Sequence, residues 1–349
     1  MSKRYVLFAS LPYAYSILRP LQDEIRKRGD EVAWFLEPGC ENLLREDEKR
    51  LSTIDDVKQY SPLAIFACGN VIYHFFPGIK VAVFHGYPVG KRGEKGNVLD
   101  DHFTIRDWFD IYCTQGPSST TTFKKLEQDK DYFRVYETGW CKVDPFFKSE
   151  ISRQNEKLTI LYSPTFSKGI TSVHVLFDTI KRLANEKDWQ WIITFHPKIT
   201  DKSVIQKYQQ LANANSNVSF ERNKGLETFQ RADLMLCDSS SIILEFMLLD
   251  KPVVTYRNTN PGKHLIDVHN VEDVEEAIEH AAKRPPELMQ NINEYTWYHE
   301  THRDGENSAR VLDAVNDFQK HQKDKIKPKP LNLIRKLKLR KRLKYWKLT

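Results

Sequence analysis

Apolar residues in this chain come in short runs, and polar, helix-patterned stretches separate them. Tyr5–Ala9, Glu31–Phe35, Leu63–Ala67, Lys80–Phe84, Ile111–Thr114 and Val135–Thr138 read as strands, with a helix predicted over Tyr15–Lys27 and stopped near Gly29. The region Phe146–Lys157 is polar and charged and reads as a linker. The alternation then restarts. Leu158–Tyr162, Trp189–Phe195, Val218–Phe220 and Val253–Tyr256 are strand-like, and Val173–Asn185, Leu226–Arg231, Val274–Lys283 and Ala309–Phe318 are helix-like. Repeated strand-then-helix spacing implies mostly parallel sheets covered by helices. The expectation is an α/β protein of two Rossmann-like domains facing a cleft. They span residues 1–150 and 151–295, followed by a helical segment over 296–322 and a tail over 323–349.

The most informative stretch is 232–256. An apolar run ends in Cys237-Asp238, then come Ser239-Ser240-Ser241, a helix-like segment carrying Glu245, and Lys251-Pro252 before the next apolar run. Serines at a helix start bring hydroxyls and unpaired backbone N–H groups together, an arrangement that favours a phosphate. Glu245, about one turn in, is placed to reach a ribose. The same residues also make an ordinary helix cap.

Two histidines end strands. Val81-Ala82-Val83-Phe84 runs into His85-Gly86, and Trp191–Phe195 runs into His196-Pro197-Lys198. Ligands of open α/β sheets bind beyond the carboxyl ends of strands. An imidazole there can take a proton from an alcohol at neutral pH, and Gly86 would allow close backbone approach. His196 with Lys198 suits stabilisation of a diphosphate. A turn histidine bonded to local backbone is the plain alternative. Ser163 and Thr165 follow a strand and can line a phosphate pocket, or serve only a turn. Lys142 and Asp144 after Thr138-Gly139 offer a base and an acid near the cleft, or a surface ion pair. Asp304 and Arg310 precede a helix, where a loop and helix cap is the simpler reading.

Composition narrows the picture. At 349 residues with 40% hydrophobic and 29% charged, the chain can bury two medium cores. No run approaches the ~20 apolar residues of a membrane span. The five cysteines form no CxxC pair and read as reduced thiols of a cytoplasmic protein, with no metal site expected. The net charge of +6 is uneven: residues 325–349 hold 11 Lys or Arg and no acid, leaving 42 bases against 47 acids before them. A mildly acidic body argues against a nucleic-acid-binding core. The basic tail, with interleaved leucines and Tyr345-Trp346, suggests a segment on an anionic membrane. Its helical stripe is split, however. Leu333, Ile334 and Leu337 fall on one side, and Leu339, Leu343 and Trp346 on nearly the other. A disordered or RNA-binding tail is the alternative.

Together, His85-Gly86 with Pro88, Thr138-Gly139 with Lys142 and Asp144, Tyr162-Ser163-Pro164-Thr165, His196-Pro197, Asp238 with Ser240-Ser241, Lys251-Pro252, and Asp304-Gly305 with Arg310 resemble the CDP-glycerol glycerophosphotransferase family, which builds teichoic-acid-like polymers. The pieces run in the family's order over most of residues 80–310. The resemblance implies a GT-B architecture, an acceptor-side first domain and a nucleotide-donor second domain. It also implies transfer of glycerol phosphate from CDP-glycerol to a hydroxyl of a lipid-linked acceptor, with CMP released at the inner face of the membrane. On it, His85 is the base, His196 stabilises the diphosphate and departing CMP, Ser240 and Ser241 hold the diphosphate, and Glu245 meets the ribose. Lys142, Ser163, Thr165, Lys198, Asp238 and Ser239 join the donor-binding set, with Gly86, Asp144, Asp304 and Arg310 nearby. No tightly bound cofactor is implied. The sequence departs from the family at Trp140-Cys141-Lys142, at Ser239 and at Glu245, so a CDP-ribitol donor, or a nucleotide sugar used by a glycosyltransferase or epimerase-like enzyme, fits the same plan.

Overall fold

The computed structural model describes residues 2–89, 102–148, 156–221 and 225–347. It divides into two compact units, one of Met1–Pro88, Asp100–Lys148 and Tyr298–Thr349, the other mainly of Ser149–Trp297. Thirteen strands are found among the described residues. In the first unit they are β1 (Arg4–Ala9), β2 (Glu31–Leu36), β3 (Arg50–Leu51), β4 (Ala64–Ala67), β5 (Ile79–Ala82), β6 (Ile111–Thr114) and β7 (Arg134–Glu137). In the second they are β8 (Thr159–Tyr162), β9 (Gln190–Thr194), β10 (Val218–Glu221), β11 (Leu234–Cys237), β12 (Val253–Tyr256) and β13 (Ile266–Val268). The helices are α1 (Tyr13–Lys27), α2 (Ile54–Tyr60), α3 (Pro117–Lys130), α4 (Asp144–Lys148), α5 (Phe177–Glu186), α6 (Lys202–Ala214), α7 (Leu226–Arg231), α8 (Ile242–Met247), α9 (Val274–Ala282), α10 (Pro286–His299), α11 (Asn307–Asp317) and α12 (Leu333–Leu343).

Every strand pairing is parallel. That is why the central strands read as unbroken apolar runs: sheets covered on both faces have no polar side to alternate with. The first sheet runs β3-β2-β1-β4-β5-β6-β7 and the second β10-β9-β8-β11-β12-β13. Both are Rossmann-like. In each the strand order reverses once, between β1 and β4 and between β8 and β11. These reversals open a crevice at the carboxyl ends of those strands, where ligands of such sheets sit.

Three boundaries differ from expectation for physical reasons. β5 ends at Ala82 rather than Phe84, because Phe84 adopts a left-handed backbone (φ 57°) that no strand continues. The helix expected from Val173 begins at Phe177, since Ser172 is held out of it by hydrogen bonds to Asp238. The linker expected over Phe146–Lys157 overlaps α4, which runs to Lys148, and its residues 149–155 lie outside the described part.

The C-terminal segment is not a loose tail. Lys329 Nζ donates to Trp108 O (3.1 Å) and pairs with Asp110 (2.5 Å), carrying the chain to α12. Leu339 is buried in the first unit's core, Leu343 and Tyr345 pack on it, and the Tyr345 ring lies 4.9 Å from that of Phe75. Arg342 pairs with Glu37 (2.7 Å), and Lys347 with Asp55. The split stripe is thus two faces of one helix. One face docks. On the other, Leu333, Ile334 and Leu337 are exposed, with Leu331 and Trp346 exposed to either side.

Candidate functional site

In the first unit, His85 stands just past β5, beside the end of β4 and near the strand-order reversal. Its Nδ1 lies 3.3 Å from the carbonyl oxygen of Cys68, which follows β4. A carbonyl only accepts, so Nδ1 carries the proton and Nε2 keeps its lone pair. The Tyr13 ring, on the first residue of α1 just after β1, lies 5.8 Å away. Thus β1, β4 and β5 each send a residue to the imidazole. Phe84's left-handed backbone turns its own ring into the core and leaves His85 exposed. Nothing described lies within 4 Å of a Cβ built at Gly86, and its conformation is not left-handed, so no protein contact demands a glycine.

In the second unit, His196 follows β9. Here the pattern is reversed: Nδ1 accepts the backbone N–H of Lys198 (3.0 Å). In the neutral ring the proton is therefore on Nε2, a donor. The ring rests 4.3 Å from that of Phe166, and Lys198 Nζ lies 4.9 Å from the centre of the same Phe166 ring. One imidazole is thus set up as an acceptor at Nε2 and the other as a donor there. Local backbone alone sets this difference, which residue identity could not reveal.

The turns after β8 and β11 meet at the second reversal, and Asp238 joins them. Its Oδ1 accepts from the N–H groups of Thr165 (2.8 Å) and Ser239 (2.7 Å), and its Oδ2 from Ser172 N (2.9 Å) and Ser172 Oγ (3.0 Å). Burial raises its carboxyl pKa while those four donors pull it back. With its oxygens so occupied, Asp238 shapes the site from beneath. Ser239 is likewise engaged, its Oγ accepting Thr259 N–H (2.8 Å). Ser163 and Thr165 are buried, and the Ser163 hydroxyl has no hydrogen-bond partner among the described residues.

Ser241 is exposed and Ser240 half-buried in the turn. Ser240 Oγ makes only a 3.5 Å contact with Ile242 N, and Ser241 caps nothing with its side chain. Both line a pocket together with Asn258, Asn260, His264 and Tyr295. The last four were not singled out from sequence, since nothing local marks a residue that arrives from a distant loop. His264 stacks on Tyr295 at 3.6 Å, and burial lowers its pKa to about 4, so it is neutral there. The helix after the serines, α8, has only six residues, which weakens the dipole argument for anion binding and leaves side-chain and turn donors to do it. Glu245 is half-buried on α8, and Ile243 and Leu244 line the pocket in its place.

Lys251, which follows α8, does not line the pocket. Its ammonium is buried and donates to the carbonyls of Phe229 (2.8 Å), Gln230 (2.9 Å) and Ala232 (2.5 Å), closing the end of α7. Burial lowers its pKa to about 8, so at neutral pH it still carries the three protons those carbonyls take. Lys251→Met should leave all three unpaired and lower stability by roughly 3 kcal/mol, visible as a reduced denaturation midpoint. An unchanged midpoint would show that solvent replaces the ammonium.

The remaining expected residues form a frame at the start of α11 in the first unit. Asp144 is buried and accepts the N–H groups of Asn307 and Ser308, both at 2.8 Å; burial raises its pKa to about 6. Asp304 forms a two-pronged ion pair with Arg310, which holds its carboxyl far below the usual range. Lys142 Nζ lies 5.0 Å from the centre of the Trp140 ring. Glu300 was not foreseen. Fully buried, with its carboxyl pushed well above the usual range by burial, it accepts from Tyr87 Oη (2.8 Å), Trp140 N (3.1 Å) and Asn307 Nδ2 (3.3 Å). Among the described residues no cluster of three or more His, Cys, Asp or Glu is arranged to hold a metal ion.

This chain is similar in fold to solved structures of low sequence identity. The wall teichoic acid polymerase TagF shares 13% identity at a TM-score of 0.63, with 91% of this chain and 90% of that one covered. A TagF variant soaked with CDPG shares 14% at 0.62, over 92% and 90%. A UDP-N-acetylglucosamine 2-epimerase from Listeria monocytogenes shares 11% at 0.58, over 91% and 97%. At such identities the likeness establishes the fold, that of two-domain GT-B proteins. No curated protein sequence matches significantly. Residues 106–318, more than half of the chain, match the model of the CDP-glycerol:poly(glycerophosphate) glycerophosphotransferase family; the match takes in His196, the serine turn, Lys251 and the α11 frame, while His85 lies before it. The chain therefore belongs to the CDP-glycerol:poly(glycerophosphate) glycerophosphotransferase family and is an enzyme of that transferase type.

Proposed function

We propose that the protein transfers glycerol phosphate from CDP-glycerol to a hydroxyl of a membrane-linked glycan or polyol-phosphate acceptor and releases CMP. Family membership supports the donor and the reaction type. The observation that carries the mechanism is the opposite proton placement on the two histidines. The acceptor oxygen attacks the phosphorus bearing glycerol, its proton passes to His85 Nε2, and the bond from that phosphorus to the oxygen of CMP breaks. His196 Nε2–H stabilises charge on the diphosphate and the departing CMP. Ser240 and Ser241 donate to the diphosphate, with Asp238 holding their turn in shape. Glu245, Lys142, Lys198, Ser163 and Thr165 act at the edges of the donor site or beneath it. Mass spectrometry of products from CDP-glycerol and a panel of lipid-linked glycans tests the reading. Expected are CMP and an acceptor one glycerol phosphate heavier. Turnover of only CDP-ribitol or a UDP-sugar would replace the donor, and no CMP with any acceptor would reject the reaction.

The acceptor is membrane-linked on this reading, and α12 supplies the contact. Lys336, Lys338, Lys341 and Lys344 pair with no acid among the described residues, and Leu333, Ile334 and Leu337 lie exposed beside them. At ~1 kcal/mol per basic residue near an anionic surface, these four give reversible docking at the inner face of the membrane. The protein should sediment with phosphatidylglycerol vesicles, less so in high salt, and not with phosphatidylcholine vesicles. Leu333→Asp with Leu337→Asp should weaken binding about tenfold or more. Equal sedimentation of that variant would remove α12 from the contact.

A further inference from the structure

His85 is exposed, yet the residues around it are held by buried groups from elsewhere in the first unit. Trp140 Nε1 donates to Phe84 O (3.2 Å), Gln115 Nε2 to Gly86 O (3.1 Å) and Tyr87 Oη to Glu300 Oε2 (2.8 Å). Glu300 also accepts the Trp140 N–H (3.1 Å), and the Tyr87 ring packs edge-on against Trp140 with ring centres 5.1 Å apart. The next residue, Thr301, donates its N–H to the Gln115 carbonyl (3.3 Å), and Ser119 Oγ donates to Gln115 Oε1 (3.0 Å). So the segment Glu300-Thr301 reaches each of these ties. Glu300, Gln115 and Trp140 are all buried. Burying a carboxyl is costly even when it is well bonded, and an apolar side chain would fill the same space at less cost. What the carboxyl adds is direction: it fixes Tyr87 Oη and Trp140 N relative to each other. Phe84 adds to this. Its left-handed backbone (φ 57°) is strained and persists only where the surroundings over-determine it.

We infer that Glu300 is a positioning residue for the transfer: through Tyr87 and Trp140 it fixes the loop 84–87, and with it the place of His85 Nε2. The inference rests on His85 as the base, so its test carries one readout that does not. Tyr87→Phe keeps the ring and removes the hydroxyl. In the folded variant, kcat for CMP release should fall about ten- to hundredfold, the cost of a misplaced reacting group, with KM for CDP-glycerol unchanged. Made in His85→Ala, the same change should cost nothing more. Glu300→Leu should lose at least as much as Tyr87→Phe, and Glu300→Gln, which keeps an oxygen for Tyr87, should lose less. The independent readout is the tautomer of His85 by long-range proton–nitrogen NMR, its signal assigned by its loss in His85→Ala. The unaltered protein should show the proton on Nδ1, and Tyr87→Phe a mixture of the two tautomers. An unchanged tautomer in Tyr87→Phe, or an equal loss of turnover with and without His85, overturns the inference. If His85→Ala turns over near-normally while Tyr87→Phe still mixes the tautomers, the base reading fails and the hold on the loop stands.

Discussion

His85→Ala is expected to reduce CMP release from CDP-glycerol and acceptor by about a hundredfold to ten-thousandfold, the range for loss of a general base. CDP-glycerol should bind this variant as it binds the unaltered protein, since every donor-binding candidate except Lys142 belongs to the second unit. Two more variants sharpen the result. His85→Gln can keep a hydrogen bond to the Cys68 carbonyl but has no lone pair to accept a proton at neutral pH, so it should be as slow as His85→Ala. A glutamine that restored turnover would make His85 a positioning residue. His196→Ala should lose about a hundredfold to a thousandfold, as for removal of one donor to developing charge, and it should also weaken CDP-glycerol binding. The contrast is the test: one histidine affects rate alone, the other rate and donor affinity. Near-normal turnover in both folded variants would end the mechanism.

Gly139→Ala should be among the most destabilising single substitutions in the first unit. Gly139 sits at φ 75°, and a Cβ there would lie 2.3 Å from Asn307 Oδ1 and 2.5 Å from Glu300 Oε1. Both side chains are fully buried and tied to Trp140, Tyr87 and each other. Neither can swing aside without leaving a polar group unpaired. The left-handed backbone costs roughly 1 kcal/mol for a non-glycine residue, overpacking ~1–3 and a broken buried hydrogen bond ~1–3. The sum, about 3–7 kcal/mol, rivals the whole stability of a domain. Thermal unfolding followed by tryptophan fluorescence, to which buried Trp140 contributes, should shift far down or vanish. A melting curve like that of the unaltered protein would mean that Asn307 and Glu300 rearrange freely.

The parallel sheets were legible because burial on both faces writes each strand as an apolar run, and because turn residues bracket the runs. β6, β12 and α7 begin and end where the sequence places them. Single-residue chemistry at strand ends was legible too: His85, His196 and the serine turn all stand at carboxyl ends, near the strand-order reversals. What each polar residue does there was harder to read. Asp238, Asp144, Asp304 and Arg310 look like ligand-facing groups in one dimension, yet their side chains are satisfied by protein partners. Asp304 and Arg310 pair with each other across the start of α11, whereas the partners of Asp238 and Asp144 come from segments dozens of residues away, which no local pattern encodes. Glu300, Asn258, Asn260 and Tyr295 escaped notice for the same reason. The split stripe of the tail was legible, but that Leu339 and Leu343 are spent on the core was not, because the side chains they pack on lie hundreds of residues earlier.

That division has a practical side for anyone shortening the protein. Cutting the chain before Leu331 to improve handling would strip the cover from Phe75 and leave Glu37 and Asp55 without their counterions. The product would be stickier, not better behaved, and its aggregation would be easily mistaken for lost catalysis.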